Sequence, residues 1–139
     1  MIILDTNVVS ELMKAAPDDR VVDWIDGQQG LFITAVTAAE LLYGVGRLPV
    51  GQRRSRLADA IAEMLETEFA DRVLPFDLDA SVEYAHLVSI REVSGRPIGM
   101  ADAMIAAVAV SRGADLLATR NSRDFELMGI SLINPWVAG

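Results

Sequence analysis

The sequence predicts an α/β fold, a three-layer α/β/α sandwich with a central, mainly parallel sheet between two layers of helices. Short apolar runs of strand length alternate with longer segments of helical periodicity along the whole chain. Such alternation is typical of units in which crossover helices cover both faces of a parallel sheet. With 139 residues, 52% of them hydrophobic, the chain has the size and apolar content of one domain, residues 1–139.

Five short apolar segments bounded by turn or polar residues are predicted strands. They are Ile2–Leu4, Leu31–Thr34, Val73–Phe76, Leu116–Thr119 and Ile130–Ile133, of which Val73–Phe76 is either a strand or an extended link. Each is short enough to be buried in a parallel sheet, where both faces of a strand are covered.

Helices are predicted between these strands from apolar spacing and capping signals. In chain order they cover about 8–13, a segment that Asp18 or Asp19 caps and that Gly27 or Gly30 ends, and about 37–48, 80–93, 100–111 and, more briefly, 122–127. Between the third and the fourth of these segments, after a break at residues 49–51, a further helix is predicted from apolar residues at helical spacing from Leu57 to Phe69. Asp18, Asp79 and Ser122 are predicted caps, and Thr37 with Glu40 fits a capping box. The segment from Met100 to Ser111 is apolar nearly all round, so it should be buried, and Gly113 should close it.

Composition excludes several classes of function. The net charge of −8 counts against broad, non-specific binding of nucleic acids, which needs a basic surface. Without cysteine there is neither a disulfide framework nor a thiolate metal site. The longest apolar run, residues 103–110, is too short to span a bilayer, and the acid at position 5 argues against a signal peptide. We expect a cytoplasmic protein without a membrane partner.

Four acids are candidate functional residues, although each has a structural explanation. Asp5 could cap the first helix, Glu40 could serve a capping box, and Asp102 and Asp124 would lie near helix starts, where the helix dipole favours an anion by up to ~1 kcal/mol. Asp5 and Asn121 follow predicted strands, and the carboxyl ends of parallel strands form one edge where ligands bind. The sequence therefore predicts that these side chains meet at that edge.

Clustered carboxylates need a physical reason to stay together. Two charges about 4 Å apart repel by roughly 4 kcal/mol at an effective dielectric constant near 20. The group must therefore hold protons, lie further apart, or bind a cation. Oxygen ligands without Cys or His favour Mg²⁺ or Mn²⁺ over Zn²⁺. With carboxylates, Mg²⁺ most often serves phosphoryl chemistry.

Several motifs, taken in order, resemble those of a known family. They are Asp5-Thr6-Asn7-Val8, Glu40 within Ala-Val-Thr-Ala-Ala-Glu-Leu-Leu-Tyr-Gly, Asp102 within Met-Ala-Asp-Ala-Met-Ile-Ala-Ala, Ala-Thr-Arg-Asn-Ser-Arg-Asp-Phe, and the closing Ile-Asn-Pro-Trp. Together they resemble a PIN domain, more narrowly the VapC-type toxins of bacterial toxin–antitoxin pairs, and within those the FitB-like branch. The resemblance extends over essentially the whole chain.

The resemblance implies a homodimeric, Mg²⁺- or Mn²⁺-dependent endoribonuclease held in check by a cognate antitoxin. It places Asp5, Glu40 and Asp102 in the family's acidic site, with Thr6, Asn7 and Thr119 as supporting polar residues. Relatives differ at the fourth acid, so Asn121 or Asp124 fills that position. The resemblance also implies hydrolysis of an RNA phosphodiester that leaves a 5′-phosphate and a 3′-hydroxyl, with Asp5 and Asp102 holding the metal.

Under that reading, other residues receive secondary roles. Glu40 and Asp124 would complete the metal shell and orient or deprotonate the attacking water, and Arg120 or Arg123 could contact a neighbouring phosphate. His86 lies four residues from both Val82 and Ile90, which favours a half-buried packing residue. Trp24, Trp136 and the six Met residues are interpreted as core or dimer contacts.

An antitoxin should lay a hydrophobic segment along a groove of the toxin and present Arg or Lys to the acidic site. Apolar side chains of the first two helices are candidates for that groove, for a dimer contact or for the core. They are Val9, Leu12, Val22 and Trp24.

Two alternatives remain open at this point. An aspartyl phosphoryl-transfer domain could place Asp5 after its first strand, but the haloacid-dehalogenase pattern needs an acid at position 7, which is Asn. Response-regulator receivers need a late Lys, and Lys14, the only lysine, is early. A PIN-fold binding module without catalysis is the second alternative, and Asn121 is the one feature in its favour.

Overall fold

The computed structural model describes residues 1–138, which contain five strands and six helices. The strands are β1 Ile2–Leu4, β2 Leu31–Thr34, β3 Val73–Leu74, β4 Leu116–Ala118 and β5 Leu132–Ile133. The helices are α1 Thr6–Leu12, α2 Asp19–Asp26, α3 Ala35–Gly46, α4 Gln52–Glu63, α5 Leu78–Val93 and α6 Met100–Ser111. A π-helical turn, Met64–Glu68, extends α4, and a 3₁₀ turn, Ser122–Phe125, follows β4.

The sheet has the order β3-β2-β1-β4-β5, and every neighbouring pair of strands is parallel. β1 is central, and its last residue, Leu4, pairs with Ala118 at the end of β4. The N–H of Asp5 donates to the carbonyl of Ala118 at 2.9 Å. The residues after β1 and β4 therefore leave the sheet side by side at its carboxyl edge.

Both faces of the sheet are covered, as alternation along β1 shows. Ile2 and Leu4 pack in one apolar cluster with residues of α1, α2, α3 and α4, whereas Ile3 packs in the opposite cluster with residues of α5 and α6. Successive side chains of a strand point to opposite faces, so one three-residue strand contributes to both cores. The predicted three-layer α/β/α sandwich is confirmed.

Helix α6 is buried as predicted. Ala103 is fully buried, and the five residues from Ile105 to Ala109 are at most 1% exposed. The small alanine side chains let the helix lie close to its neighbours. After α6 ends, Gly113 takes a φ of +62°, a left-handed conformation that favours glycine at a helix end.

Two predicted helix starts are wrong. The capping box at Thr37 and Glu40 does not form, because β2 leads directly into α3 and Thr34 caps that helix three residues before the expected cap, Thr37. The hydroxyl of Thr34 accepts the N–H of Thr37 at 3.1 Å. Asp77, rather than Asp79, caps α5 by accepting the N–H of Ala80 at 3.0 Å. In both helices, a polar residue two or three positions before the expected cap accepts a free N–H group of the first turn.

Several predicted elements in the later part of the chain are shorter in the structure than expected. The expected helix over 122–127 is only one 3₁₀ turn without a side-chain cap from Ser122, because Leu127 takes a φ of +68° that a helix cannot accommodate. The strand predicted at Ile130–Ile133 has two residues, Leu132–Ile133. β3 ends before Pro75, which has no N–H for a sheet.

Three further interpretations have outcomes. His86 is exposed, not half-buried as expected, because α5 turns that side of its apolar stripe to solvent. Trp136 is buried, and Trp24 packs against the core, as the core interpretation of both predicted. Within residues 1–138, no helix is long and apolar enough to cross a membrane.

A candidate active site at the carboxyl edge of the sheet

Asp5 is the buried centre of the candidate site. It follows β1 and caps α1, and one carboxylate oxygen accepts the N–H of Thr6 at 2.8 Å. The other oxygen accepts the hydroxyl of Thr119, the residue after β4, at 2.7 Å. Burial raises the pKa of Asp5, these two hydrogen bonds oppose the rise, and the charges of Glu40 and Asp124 add to it.

Thr119 connects the ends of the two central strands. Besides donating to Asp5, its oxygen accepts the N–H of Asn121 at 3.0 Å and the side-chain amide of Asn7 at 3.5 Å. The amide oxygen of Asn7 accepts the N–H of Arg120 at 3.2 Å. Thr119 and Asn7, predicted as supporting residues, thus tie the start of α1 to the segment that follows β4.

Glu40 is placed by a chain of hydroxyl groups. It lies in the second turn of α3, so it does not begin a helix as expected. Thr6 donates its hydroxyl proton to Glu40 at 2.6 Å, so its other hydroxyl contact, to Thr37 at 2.9 Å, must be one in which Thr37 donates. The buried hydroxyl of Thr34 lies 3.5 Å from that of Thr37 and completes the chain.

Asp102 enters from the opposite helical layer, in the first turn of α6. Its pKa is raised to about 6, first by burial and then by the charges of Asp5, Asp124 and Glu40. The repulsion between clustered acids that the sequence predicted is therefore present at this residue. Capping or the helix dipole alone would lower a carboxylate's pKa, not raise it.

Asp124 and Asn121 lie on the Asn121–Glu126 turn, named here for its end residues. Asp124 is exposed, yet its charge contributes to the raised pKa of both Asp5 and Asp102. Asn121 lines the same cleft as those two acids. Of the two candidates for the fourth position, Asn121 thus lines the cleft, whereas Asp124 lies outside its lining but close enough for its charge to act on the two acids.

These side chains surround a cleft of about 400 Å³. Its lining consists of polar and charged residues from the segment after β1, from α1, α3 and α6 and from the chain after β4, together with one tryptophan: Asp5, Thr6, Asn7, Ser10, Glu11, Lys14, Glu40, Asp102, Arg120, Asn121 and Trp136. The structure thus brings Asp5, Glu40 and Asp102 together, although Asp102 lies 97 positions after Asp5 in the sequence.

The donor set fits a hard cation that keeps much of its water. All candidate ligands are carboxylate or amide oxygens, and the raised pKa of Asp102 shows that the cluster resists full ionisation without a positive charge. Among residues 1–138, no three acids or histidines are arranged to hold one ion directly. Mg²⁺ commonly contacts only one or two carboxylates and retains several waters, so it does not require three acids in direct contact with it.

Sequence reasoning missed some residues of the site. The sequence pattern identifies Thr34 and Thr37 only as strand or capping residues, and it gives no role to Glu11, which is buried. Glu11 accepts from Lys14 at 2.8 Å and from the N–H of Asp18 at 3.0 Å, and the Lys14 hydrogen bond lowers its pKa. Glu11 therefore joins α1 to the start of α2. Its place among the apolar residues of α1 is the sequence signal that could have identified it as a buried acid.

A larger apolar groove of about 790 Å³ adjoins the cleft. Thr6, Ser10, Lys14 and Glu40 line both of them. The groove's apolar wall comes from Met13 and from residues of α3, α4 and the segment between them: Leu41, Val45, Leu48, Leu57 and Ile61. The residues proposed for a groove from the sequence, Val9, Leu12, Val22 and Trp24, do not line it.

Comparison with known proteins agrees with this architecture. A model of the family described as PIN domain matches residues 2–130. The chain is 48% identical to VapC ribonuclease Y4jK of Sinorhizobium fredii over 98% of each chain, and 36% identical to toxin FitB of Neisseria gonorrhoeae over 98% of this chain and 99% of the relative.

A solved structure shows the same fold. The crystal structure of FitAcB from Neisseria gonorrhoeae superposes with a TM-score of 0.92 and 36% identity, over 99% of this chain and all of the other. A family model that covers most of the chain, together with relatives above a third identical over their whole length, confirms the resemblance found in the sequence motifs. The chain belongs to the PIN domain family.

Proposed function

We propose that this protein is a Mg²⁺- or Mn²⁺-dependent endoribonuclease that acts as the toxin of a toxin–antitoxin pair. The observation that carries the proposal is the convergence of Asp5, Glu40 and Asp102 on one cleft, where burial and then the charges of the neighbouring acids raise the pKa of Asp102 to about 6. The relatives named VapC ribonuclease and toxin FitB support the same activity and biological role.

In the proposed mechanism, Asp5 and Asp102 would hold the metal. Its chemistry there would be to activate water and to neutralise charge on the phosphate oxygens. Glu40, fixed by the hydroxyl of Thr6, and Asp124 or Asn121 would assist in holding it and would orient the attacking water. Thr119 and the N–H of Thr6 keep the Asp5 carboxylate in place as substrate enters.

The proposed reaction is in-line hydrolysis of an RNA phosphodiester. The oxygen of water bonds to phosphorus while the bond from phosphorus to the 3′-oxygen breaks. One proton of the water is released towards the carboxylates, and the departing 3′-oxygen takes up a proton. The products are a 5′-phosphate and a 3′-hydroxyl.

Arg120 is the better of the two arginines proposed to contact a neighbouring phosphate. It lines the cleft, and its guanidinium lies 4.8 Å from the ring centroid of buried Trp136, which supports it by a cation–π contact. The side chain of Asn134 donates to the Arg120 carbonyl at 3.3 Å. Arg123 does not line the cleft. We expect Arg120→Gln to raise KM several-fold with kcat nearly unchanged, and Arg123→Gln to change neither.

The deciding experiment is RNA cleavage with Mg²⁺, Mn²⁺ or EDTA. We expect metal-dependent cleavage by the unaltered protein and cleavage at the level of an RNA-only blank for Asp5→Asn, with circular dichroism showing the variant folded. Asp59→Asn is the matched control, because Asp59 is exposed on α4 and lies outside the cleft. Equal cleavage by Asp5→Asn and the unaltered protein would disprove the mechanism.

The two alternatives have separate outcomes. In the aspartyl phosphoryl-transfer hypothesis, position 7 would carry a second acid, but Asn7 instead bonds Thr119 and Arg120 here. Membership of the PIN family replaces that hypothesis. A non-catalytic binding module would show no cleavage in any metal, so the same assay distinguishes it.

The apolar groove beside the cleft is the proposed seat of the antitoxin. Its wall is mostly apolar, and it shares Thr6 and Glu40 with the cleft, so a hydrophobic segment lying there could extend an Arg or Lys towards the acids. We expect Val45→Asp to weaken antitoxin binding while leaving RNA cleavage by the isolated toxin intact. Calorimetry with the product of the adjacent gene tests this.

The homodimer stays a prediction. One shallow depression is lined by partly buried Val36, Phe76 and Met104 and by Tyr43, which is 67% exposed. Such a patch is typical of a protein interface. Sedimentation of the unaltered protein and of Tyr43→Glu tests whether this patch holds two copies together.

A further inference from the structure

Arg91 is a buried cation without an acidic partner. It lies on α5, is 4% exposed, and forms no salt bridge within residues 1–138. Its guanidinium donates only to backbone carbonyls: Nε to Arg96 at 2.6 Å, and Nη1 to Asp124 at 2.5 Å and Glu126 at 3.2 Å. Two of these three acceptors belong to the Asn121–Glu126 turn.

Core packing does not explain this residue. A buried guanidinium is tolerated only when its donors are paired, and an apolar side chain of similar volume would avoid the cost of desolvation. What an arginine offers is a rigid, planar set of donors that can bind carbonyls of two separate segments at once. The role of Arg91 must therefore be sought in the segments whose carbonyls it binds, the loop after α5 and the Asn121–Glu126 turn.

The contact fixes the backbone around Asp124 on both sides. The N–H of Asp124 donates to the carbonyl of Asn121 at 2.9 Å, and its own carbonyl accepts from Arg91. The other contacts of this 3₁₀ turn lie at its ends and interior, where the N–H of Asn121 donates to Thr119 and the side chain of Phe125 is buried, and neither binds the carbonyl of Asp124. The backbone orientation decides where the exposed Asp124 carboxylate points.

Arg96 extends the same connection. It lies in the loop between α5 and α6, and it donates through Nη2 to the carbonyl of Arg123 and through Nη1 to the carboxylate of Glu126, both at 3.1 Å. That loop leads into the helix that carries Asp102. The two arginines therefore connect the turn with Asp124 to α5 and to the loop that precedes α6.

We propose that Arg91, assisted by Arg96, is a positioning residue that holds Asp124 towards Asp5 and Asp102. Its consequence for catalysis rests on the proposed nuclease function, but its effect on the turn does not. Asp124 itself would act at the metal, and Arg91 acts only through it.

Hydrogen exchange tests the positioning without metal or RNA. Arg91→Lys keeps the charge but offers a single nitrogen in place of the planar set. We expect faster exchange of amides in residues 121–127, with unchanged exchange in the interior of α6. Arg112→Lys is the matched control, because Arg112 forms only an exposed 3.6 Å ion pair with Asp77. Unchanged exchange in the turn would overturn the proposal.

A double-mutant cycle on Mn²⁺ binding tests the functional part. Supporting residues around metal sites typically change metal affinity by roughly 10–100-fold, and we expect Arg91→Lys to weaken Mn²⁺ binding at least about 10-fold. In an Asp124→Asn background the same substitution should add little, because the group that it positions is gone. Equal losses in both backgrounds would show that Arg91 acts elsewhere and would overturn the proposal.

Two safeguards separate the possible failures. If Arg91→Lys does not fold, Arg96→Gln replaces it, since Arg96 is partly exposed and contacts the same turn. If the unaltered protein binds Mn²⁺ but does not cleave RNA, the proposed function is wrong. The double-mutant cycle on Mn²⁺ affinity still tests whether Arg91 positions Asp124. Exchange in the turn remains a valid test in either case.

Discussion

The two halves of the cleft are built in different ways. On one side, Asp5 and Thr119 follow adjacent central strands, and the parallel sheet itself sets their separation. On the other side, Glu40 is exposed on α3, and Asp124 lies on a single 3₁₀ turn whose backbone is held by Arg91 of α5. The first half is buried and the second is exposed.

This difference indicates how the fold divides its tasks. In the buried half, hydrogen bonds from Thr119 and Thr6 offset part of the cost of desolvating the Asp5 carboxylate. Because these donors belong to rigid elements, they also fix the position of that carboxylate. The exposed half has fewer contacts of its own and can adjust as a ligand binds. Substitutions in the first half should therefore affect stability and activity together, and those in the second should affect mainly activity.

Thr119→Val should have the largest effect. It removes the hydroxyl that serves Asp5 and Asn121 while keeping the shape of the side chain. We expect a loss of roughly 1–3 kcal/mol in the free energy of unfolding and a 10–100-fold slower cleavage. The pKa of Asp5 should rise further, so the acid limb of the pH–rate profile should move to higher pH. Denaturant melts and initial rates measure these changes.

Thr67→Val is the control for that substitution, because Thr67 is exposed and does not line the cleft. It should leave all three quantities unchanged. If Thr119→Val behaves like Thr67→Val, the two halves of the cleft do not differ as described.

Thr6→Val should have a smaller effect, mainly on activity. The substitution removes the hydroxyl that holds Glu40 but leaves the N–H that binds Asp5. Because Glu40 is exposed, we expect less than about 1 kcal/mol of lost stability and roughly 10-fold slower cleavage. A loss of stability as large as that of Thr119→Val would place Glu40 with the buried half instead.

Asp102→Asn should change thermal stability in a pH-dependent way. The folded pKa of about 6 exceeds the ordinary value, so the charged form destabilises the fold as pH rises from about 4 towards 6, and fully above that. Without metal, the variant should melt roughly 3 °C higher at pH 7.5 and show no gain near pH 3. Mn²⁺ should raise the melting temperature of the unaltered protein more than that of the variant.

Asp59→Asn should show neither effect, since Asp59 is exposed outside the cleft. A melting temperature of Asp102→Asn equal to that of the unaltered protein across this pH range would contradict the repulsion inferred at the site.

Much of the buried half was predictable from the sequence. An apolar run followed by Asp5, and a later run followed by Thr119 and Asn121, is enough to place these residues at one edge of a parallel sheet. Asp102 was predictable because a helix as apolar as α6 must be buried, which brings its first turn close to the sheet. The periodicity of strands and helices is therefore enough to predict which residues of the buried half lie close together.

The other half could not be predicted in the same way. Glu40 was assigned to a capping box because Thr37 fits that pattern, but Thr34 at the strand end was an equally good cap and lies earlier in the chain. The contact of Arg91 with Asp124 joins residues 33 positions apart through a backbone carbonyl. Carbonyl acceptors leave no sequence signal, since every residue has one.

The most direct test of the central claim is a calorimetric titration of the protein with Mn²⁺. If the carboxylates form one cation-dependent site, the unaltered protein should bind Mn²⁺, Asp5→Asn should bind it at least about 10-fold more weakly, and Asp59→Asn should bind it normally. Absence of Mn²⁺ binding by the unaltered protein, or equal affinity in Asp5→Asn, would contradict the account.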